Sequence, residues 1–341
     1  MYWRPDRGLQ ARMALTLVLL AGVAALLAGS AFVLLVVASL LLLAALAFAG
    51  GLLADALGYS LAAVPGGVAA AALGVAVLLA ALTLLVATVR LVVREFRGDG
   101  MVLASLDARR PDGAERTRLA PLVGRCAQQA GLPAPSVRVR PVDAPEALSV
   151  GYRPETTTLV VSTGLLDALD DRELEAVVAH ELAHVKNRDA AVMTLASLPV
   201  AGARALADRE AADEDAASLL VYLVGATTGV LGRALVASLS RAREVAADRG
   251  AVAITGDPSA LASALGTLDS ARSRRPARDG RHRSDVAAAL SILPTDAGAA
   301  VDGDDLFAYE RRWLARKVYH THPPTDERLA RLRALERANE R

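Results

Sequence analysis

The sequence predicts a mainly helical membrane protein whose second part is an α+β domain with a small β-sheet. Three observations predict it: a long apolar N-terminal region, a return of charge near residue 99, and short β-branched segments before an amphipathic helix. The 341 residues, 53% of them hydrophobic, suffice for one membrane region and one domain. The 38 basic and 37 acidic side chains nearly cancel, so the overall charge suggests no nucleic-acid partner.

The N-terminal transmembrane region is assigned to residues 1–98. Within it, residues 13–93 carry almost no charge, with Asp55 and Arg90 as the exceptions. A membrane helix needs about 20 apolar residues, and a signal-peptide core has only about 7 to 15, so this run fits spanning helices that stay in the mature protein.

The number of crossings depends on which glycine-containing stretches turn. Residues 29–30, 50–51 and 58–67 are all candidates, so two and three crossings both fit. Arginine residues lie near both ends of the region, which favours an even number with both ends in the cytoplasm. We therefore prefer two crossings. These arginines are Arg4, Arg7, Arg12, Arg90, Arg94 and Arg97.

The second domain is assigned to residues 99–341. A helix is predicted from Asp112 to the residue before Gly131, and short strands are predicted around residues 137–139 and 157–161. The next helix is predicted to begin at Asp170, whose carboxylate can cap it, and to run through His184.

Two further apolar stretches lie within residues 190–239, separated by an acidic segment. Their length predicts a second membrane hairpin. Buried helices of the second domain are the alternative, because polar or helix-breaking residues interrupt both stretches. The interrupting residues are Pro199, Arg204 and Arg233.

The pattern His180-Glu181-Leu182-Ala183-His184 has the spacing of a zinc-peptidase helix. Residues four apart lie on one helical face, so two imidazoles can reach one ion. Glu181 lies too close along the helix to join the same tetrahedron, but it can hold the attacking water and take its proton as a general base. A chance match is the alternative; only five histidines occur in the chain, and two of them form this pattern.

One Zn²⁺ per chain needs a third protein ligand and an open position for water. Because the only cysteine is Cys126, the candidates are a carboxylate or another histidine. We prefer Glu244, which shares a helix face with Asp248, so that Asp248 can accept the ring proton of a ligating histidine. A solvated acidic pair among neighbouring arginines is the alternative reading. The other histidines are His282, His320 and His322.

His322 and Arg328 are further candidates near the C-terminus. Either residue can stabilise a developing oxyanion or hold a substrate carbonyl. In the alternative, the prolines after His322 only start a helix, and Arg328 pairs with a carboxylate. The arginine-rich stretch 272–283 suits anionic lipid headgroups, and it lacks the interleaved aromatic residues that would favour nucleic acid.

Four blocks resemble, in order, the motifs of HtpX-family membrane metalloproteases: VSTGLL at 161–166, HELAHVKNRD at 180–189, REVAAD at 243–248, and THPPT at 321–325 followed by Arg328. The resemblance covers about residues 99–335. It implies a zincin-like (gluzincin) catalytic domain on the cytoplasmic side of a multi-pass protein of the cell membrane.

The resemblance also implies roles for single residues: His180, His184 and Glu244 would bind zinc, and Glu181 would be the catalytic base. The expected activity is endopeptidase cleavage of unfolded or membrane proteins in quality control, at the lipid bilayer and without nucleic acid. Two features depart from the family: the apolar region is longer than the usual pair of helices, and Glu146 occupies a position where asparagine is common.

Two other functions are weighed against this prediction. A protease of the CAAX prenyl class shares the zinc motif but has more membrane helices. A non-catalytic membrane adaptor could keep a zinc site for stability, but such a site does not need Glu181. For an extended substrate, the candidate edge strands lie at residues 147–150 or 157–161.

Overall fold

The computed structural model describes residues 7–56, 66–96, 103–104, 106–210, 216–273 and 323–339. It divides into two compact units. The first comprises Met1–Leu19, Arg97–Ser197 and Val230–Arg341, and the second comprises Leu20–Phe96 and Leu198–Gly229. His322 and the arginine-rich stretch beyond residue 273 lie outside the described residues.

Two long helices, α1 (Arg7–Ala56) and α2 (Gly66–Phe96), form the N-terminal region. By length and composition, Met13–Leu52 and Ala71–Arg90 can each cross a membrane. Helix α1 continues through residues 29–30 and 50–51, so neither of these two stretches forms a turn. Most of the third candidate turn lies outside the described residues.

The surfaces of α1 and α2 suit a lipid environment. Leu41 and Phe48 on α1, for example, are 66% and 70% exposed, and in water such extended apolar surface would favour aggregation. The hydroxyls of Ser30 and Thr83 donate to backbone carbonyls four residues earlier, at 2.9 and 2.8 Å. These polar groups are therefore satisfied within their own helices, as an apolar medium requires.

Helices α6 (Asp189–Glu210) and α7 (Ala216–Thr255) cover the predicted second hairpin. Asp189–Ala203 is apolar but shorter than a membrane span. Residues 198–229 belong to the same compact unit as most of the N-terminal helices. A membrane hairpin within 190–239 stays a prediction.

In the first unit, helix α3 (Gly113–Ala130) has the predicted limits. The Glu115 amide donates to the Asp112 carboxylate at 2.9 Å, and the Asp112 amide donates back to the Glu115 carboxylate at 2.8 Å. At the other end, Gly131 adopts a φ of 68°, the left-handed conformation in which glycine is favoured.

A three-stranded sheet follows, made of β1 (Ser136–Arg140), β2 (Ala147–Val150) and β3 (Thr158–Ser162). The strand order is β1-β3-β2, with β1 parallel and β2 antiparallel to β3. Strand β2 is therefore an edge among the described strands. The alternative that residues 157–161 offer a free edge is wrong, because β3 is paired on both sides.

The remaining helices of this unit are α4 (Thr163–Ala168), α5 (Asp171–Lys186), α8 (Pro258–Ser273) and α9 (Thr325–Asn339). Helix α5 begins with the predicted capping box: Asp170 accepts from the Glu173 amide at 2.7 Å, and Glu173 accepts from the Asp170 amide at 3.2 Å. It packs against β2, α3 and α8. A helix covered on several sides can be apolar around most of its circumference.

Gly164, at the start of α4, provides a stability test. A Cβ atom there would lie 1.9 Å from the Asp143 carbonyl oxygen, so Gly164→Ala must displace backbone. We expect it to lower the thermal unfolding temperature strongly, equivalent to about 3 kcal/mol or more. The matched control is Gly124→Ala inside α3. A Cβ atom at Gly124 would lie more than 4 Å from every atom outside the adjacent backbone of its own helix.

Gly124→Ala should leave stability unchanged or raise it by up to about 1 kcal/mol, because alanine is the better helix former. Thermal unfolding of both purified variants in one detergent measures the difference. Equal unfolding temperatures for the two variants would contradict the close approach at Gly164.

Candidate metal centre

Helices α5 and α7 bring three buried side chains together. His180 and His184 lie one turn apart on α5, and Glu244 comes from α7. The Nε2 atoms of the two histidines are 3.1 Å apart. One oxygen of the Glu244 carboxylate lies 3.5 Å from Nε2 of His180, and the other oxygen lies 3.5 Å from Nε2 of His184. Among the described residues, this is the set of three side chains whose donor atoms can meet at one ion.

These spacings fit a small tetrahedral cation. Zinc bonds to nitrogen and oxygen of about 2.1 Å place neighbouring donors about 3.4 Å apart in a tetrahedron. The two Nε2 atoms are 3.1 Å apart, and each lies 3.5 Å from a different oxygen of Glu244. The two imidazole rings meet edge to face, with an interplanar angle of 90°. Two imidazoles and a carboxylate are also the ligand types that suit zinc.

Each histidine places its other ring nitrogen near an aspartate. His184 Nδ1 lies 2.6 Å from an Asp189 carboxylate oxygen, and His180 Nδ1 lies 3.1 Å from Asp248 Oδ1. A carboxylate there favours a proton on Nδ1 and leaves Nε2 as a free donor atom. The Nε2 atoms of His180 and His184 both lie next to the Glu244 carboxylate.

The buried charges around the three donors do not balance. Among the described residues, four carboxylates of this cluster are at most 5% exposed, and two guanidinium groups, from Arg243 and Arg328, accompany them. When all are ionised, two negative charges remain in excess, which one divalent cation neutralises. Buried charge without compensation is costly, so the charges present fit a divalent metal. The carboxylates are those of Glu181, Asp189, Glu244 and Asp248.

Glu181 is 1% exposed. Neither carboxylate oxygen has a donor in hydrogen-bonding geometry among the described residues, although the Ser149 hydroxyl lies close enough to lower its pKa slightly. Burial, and secondarily the charge of Glu244, raise the pKa of Glu181 to about 7. A carboxylate with a pKa near neutrality is suited to accept and return a proton.

A cleft in the first unit reaches these residues. Its walls come from the end of β2, the turn that follows it, helix α5 and the start of α6. The lining side chains include Ser149, Tyr152, Glu181, His184, Arg188 and Arg243. A substrate in this cleft would contact both Glu181 and the edge strand.

The raised pKa of Glu181 predicts a pH effect on the chelator-treated protein. Its folded pKa of about 7 exceeds the ordinary 4.5, so the folded state binds more protons between these values. The free energy of unfolding therefore falls as pH rises through this range. Relative to Glu181→Gln, wild type should lose up to about 3 kcal/mol.

Thermal unfolding of both chelator-treated proteins between pH 4.5 and 8 measures this loss. The comparison removes the titration of the groups that do not interact with Glu181. Parallel stability curves for wild type and Glu181→Gln would contradict the raised pKa.

The other predicted residues have different surroundings. Arg328 is buried, and its guanidinium contacts the Asp248 carboxylate at 2.6 and 3.0 Å rather than the cleft. Glu146, just before β2, accepts a hydrogen bond from Arg140 at 2.6 Å. His322 lies outside the described residues.

Two residues gain importance that the sequence alone did not indicate. The Asp189 carboxylate lies 2.6 Å from His184 Nδ1. Between α5 and α6, Arg188 adopts the left-handed conformation with a φ of 56°. Arg243, one of the arginines beside Glu244, is 3% exposed and lies 3.3 Å from the Glu244 carboxylate. The acidic residue five positions after His184 was the available signal for Asp189.

The motif-bearing helix, the buried carboxylate beside it and the third donor from α7 define the class of protein as a metallopeptidase. The sequence profile of Peptidase family M48 matches residues 113–336. The chain belongs to this family.

Several related proteins are similar in sequence to this chain over most of their own length. A protein named Protease HtpX homolog from Moorella thermoacetica is 37% identical over 259 residues, covering 73% of this chain and 82% of that protein. Protease HtpX homolog 2 from Methanosarcina acetivorans is 34% identical, covering 72% and 81% respectively. Protease HtpX homolog from Acidiphilium cryptum is 37% identical, covering 70% and 80%. The protein is thus a membrane metallopeptidase similar to the HtpX proteases.

Proposed function

We propose that this protein is a zinc-dependent endopeptidase in which His180, His184 and Glu244 bind the metal. The observation that carries the proposal is the buried group of His180, His184 and Glu244, in which each residue offers one donor atom within 4.8 Å of the other two. The zincin-like (gluzincin) arrangement expected from the sequence has this ligand set. When bound, zinc would supply a Lewis acid for the substrate carbonyl and lower the pKa of water.

The chain's own residues supply the proton transfers. Glu181 takes a proton from the attacking water and delivers it to the leaving amine nitrogen, so one carboxylate serves as base and then as acid. Burial keeps the pKa of Glu181 near 7, which suits both directions of transfer. Asp189 and Asp248 hold the histidine rings in the orientation that exposes Nε2.

The edge strand β2 is the proposed binding site for an extended substrate. The Ser162 amide donates to the Glu146 carbonyl at 2.9 Å, and backbone groups alternate sides along an antiparallel strand. The backbone amides and carbonyls of Glu146, Leu148 and Val150 therefore face β3. Those of Ala147 and Ser149 face the other side of β2, which is the edge of the described sheet. Ser149 lines the cleft beside Glu181, so a peptide paired there passes the proposed base.

An edge strand that forms backbone hydrogen bonds with its substrate suits unfolded polypeptides, since a folded chain rarely presents an extended segment. We infer that the substrates are unfolded or membrane proteins and that the role is quality control. The arginines at both ends of the apolar region support a multi-pass protein with its catalytic unit on the cytoplasmic side. The names of the relatives favour this function over the CAAX prenyl class.

Metal removal tests the proposal. Dialysis of the purified protein in detergent against a chelator should abolish cleavage of an unfolded protein. One equivalent of Zn²⁺ should restore it, whereas Mg²⁺ and Ca²⁺ should not, because these ions prefer sites with six or more oxygen ligands. Cleavage is followed by gel and bound metal by elemental analysis.

Two outcomes would refute the proposal. Full activity after the metal is removed would exclude a metal-dependent mechanism. Tight zinc binding without any cleavage by wild type, across unfolded soluble and membrane substrates, would instead favour the non-catalytic adaptor.

A further inference from the structure

Arg328 is a fully buried arginine on the C-terminal helix α9. It is 1% exposed, and such burial is rare for arginine unless a carboxylate accompanies it. Its Nε and one terminal nitrogen donate to the two oxygens of Asp248, at 3.0 and 2.6 Å. The other terminal nitrogen lies 3.7 Å from Glu244 Oε2. This fork geometry matches a carboxylate in a way that a lysine ammonium cannot.

Asp248 connects this arginine to a histidine of the metal site. The oxygen that accepts the 2.6 Å bond from Arg328 also lies 3.1 Å from His180 Nδ1. A continuous row of contacts thus runs from α9 through Asp248 on α7 to His180 on α5. The three helices are far apart in sequence, and Arg328 follows Asp248 by 80 residues.

Arg328 matters because Asp248 is buried. A buried carboxylate is costly unless a positive charge and hydrogen-bond donors accompany it, and Asp248 is 5% exposed. The fork of Arg328 supplies both and fixes the orientation of the two Asp248 oxygens. Without this fork, nothing on α9 would hold the Asp248 carboxylate against His180.

We propose that Arg328 is a positioning residue of the metal centre, which holds Asp248 against His180 so that Nε2 of His180 faces the metal. The proposal rests on the function proposed above, in which His180 is a ligand. Through this one contact, helix α9 contributes to the metal centre. Arg328 does not contact the substrate.

The simpler alternative is that Arg328 only anchors α9. That helix has an independent anchor, because Leu332 is 1% exposed and belongs to the main hydrophobic core. Leu332→Ala therefore weakens the docking of α9 without touching Asp248. Arg331→Gln provides a second control, since Arg331 is exposed and pairs with Glu327 on the same helix.

The experiment measures zinc affinity by competition with a chromogenic chelator, using the full chain in detergent. Partners that orient a ligating histidine typically contribute 10- to 100-fold to metal affinity. We expect Arg328→Gln and Asp248→Asn each to weaken zinc binding by about 10-fold or more. Because both act through one contact, the double variant should bind zinc no more weakly than Asp248→Asn.

Leu332→Ala should lower the thermal unfolding temperature but keep zinc affinity within about 3-fold of wild type, and Arg331→Gln should change neither. If Arg328→Gln does not fold, Arg328→Lys retains the charge without the fork and should still weaken zinc binding several-fold. These results would establish a positioning role that anchoring cannot explain.

Wild-type zinc affinity in folded Arg328→Gln or Arg328→Lys would overturn the proposal. So would independent, multiplicative effects of Arg328→Gln and Asp248→Asn. Failure of wild type itself to bind zinc would refute the proposed function instead, so the two failures are distinguishable.

Discussion

Glu181→Gln is expected to reduce peptide cleavage by about 100- to 10,000-fold while the protein retains its metal. A positioned general base contributes on this scale, and glutamine keeps the shape of the side chain but cannot accept the proton. The three donor atoms do not include Glu181, so bound zinc should stay near one equivalent. Cleavage of an unfolded protein and elemental analysis on the same preparation measure both quantities.

Glu175→Gln is the matched control for this substitution. Glu175 lies on the same helix, but its side chain is 28% exposed and pairs with Arg125 at 3.3 Å. The control should cleave at close to the wild-type rate. Equal activity of Glu181→Gln and wild type would mean that the cleavage comes from another site or from a contaminant.

Glu244→Gln should remove both metal and activity. The chemical change is the same as in Glu181→Gln. It affects, however, a side chain whose two oxygens each lie 3.5 Å from the Nε2 atom of one histidine. Loss of the charged ligand should weaken zinc binding by more than about 100-fold, since even the partners of ligands contribute 10- to 100-fold. Activity should fall to background at low free zinc.

The pair of substitutions separates the two roles. Chelator competition gives the affinity of each variant, and thermal unfolding shows whether each protein is folded. A folded Glu244→Gln that binds zinc as tightly as wild type would exclude Glu244 as a ligand. Another histidine or acidic residue of the chain would then have to be the third ligand.

Local sequence patterns predicted the helices of the first unit well. The capping boxes at Asp112 and Asp170 and the stop at Gly131 depend on neighbouring residues only, so they can be predicted from the sequence. For the same reason, the spacing of His180 and His184 on one helical face predicted that both imidazoles reach one point. Within α1, residues 29–30 and 50–51 do not turn, because each glycine costs only about 1 kcal/mol in a long helix.

Longer-range contacts could not be predicted in the same way. The sequence left open whether residues 147–150 or 157–161 form the sheet edge, and the strand order decides for β2. Arg328 had two readings, as a substrate contact or as the partner of a carboxylate, and its guanidinium lies on Asp248. Both outcomes depend on how separate elements pack, which no local periodicity encodes.

The sequence by itself determined the chemical identity of the site: the two imidazoles, the adjacent carboxylate, and the helix that presents them. Only the tertiary structure decided which charges surround that helix: Glu244, which the sequence suggested as the third ligand, lies in one buried cluster with Asp189, Arg243 and Arg328. The physical reason is the distance along the chain between the residues that interact. Helical geometry places residues four apart on one face, whereas the balance of buried charge arises only when α5, α7 and α9 pack together.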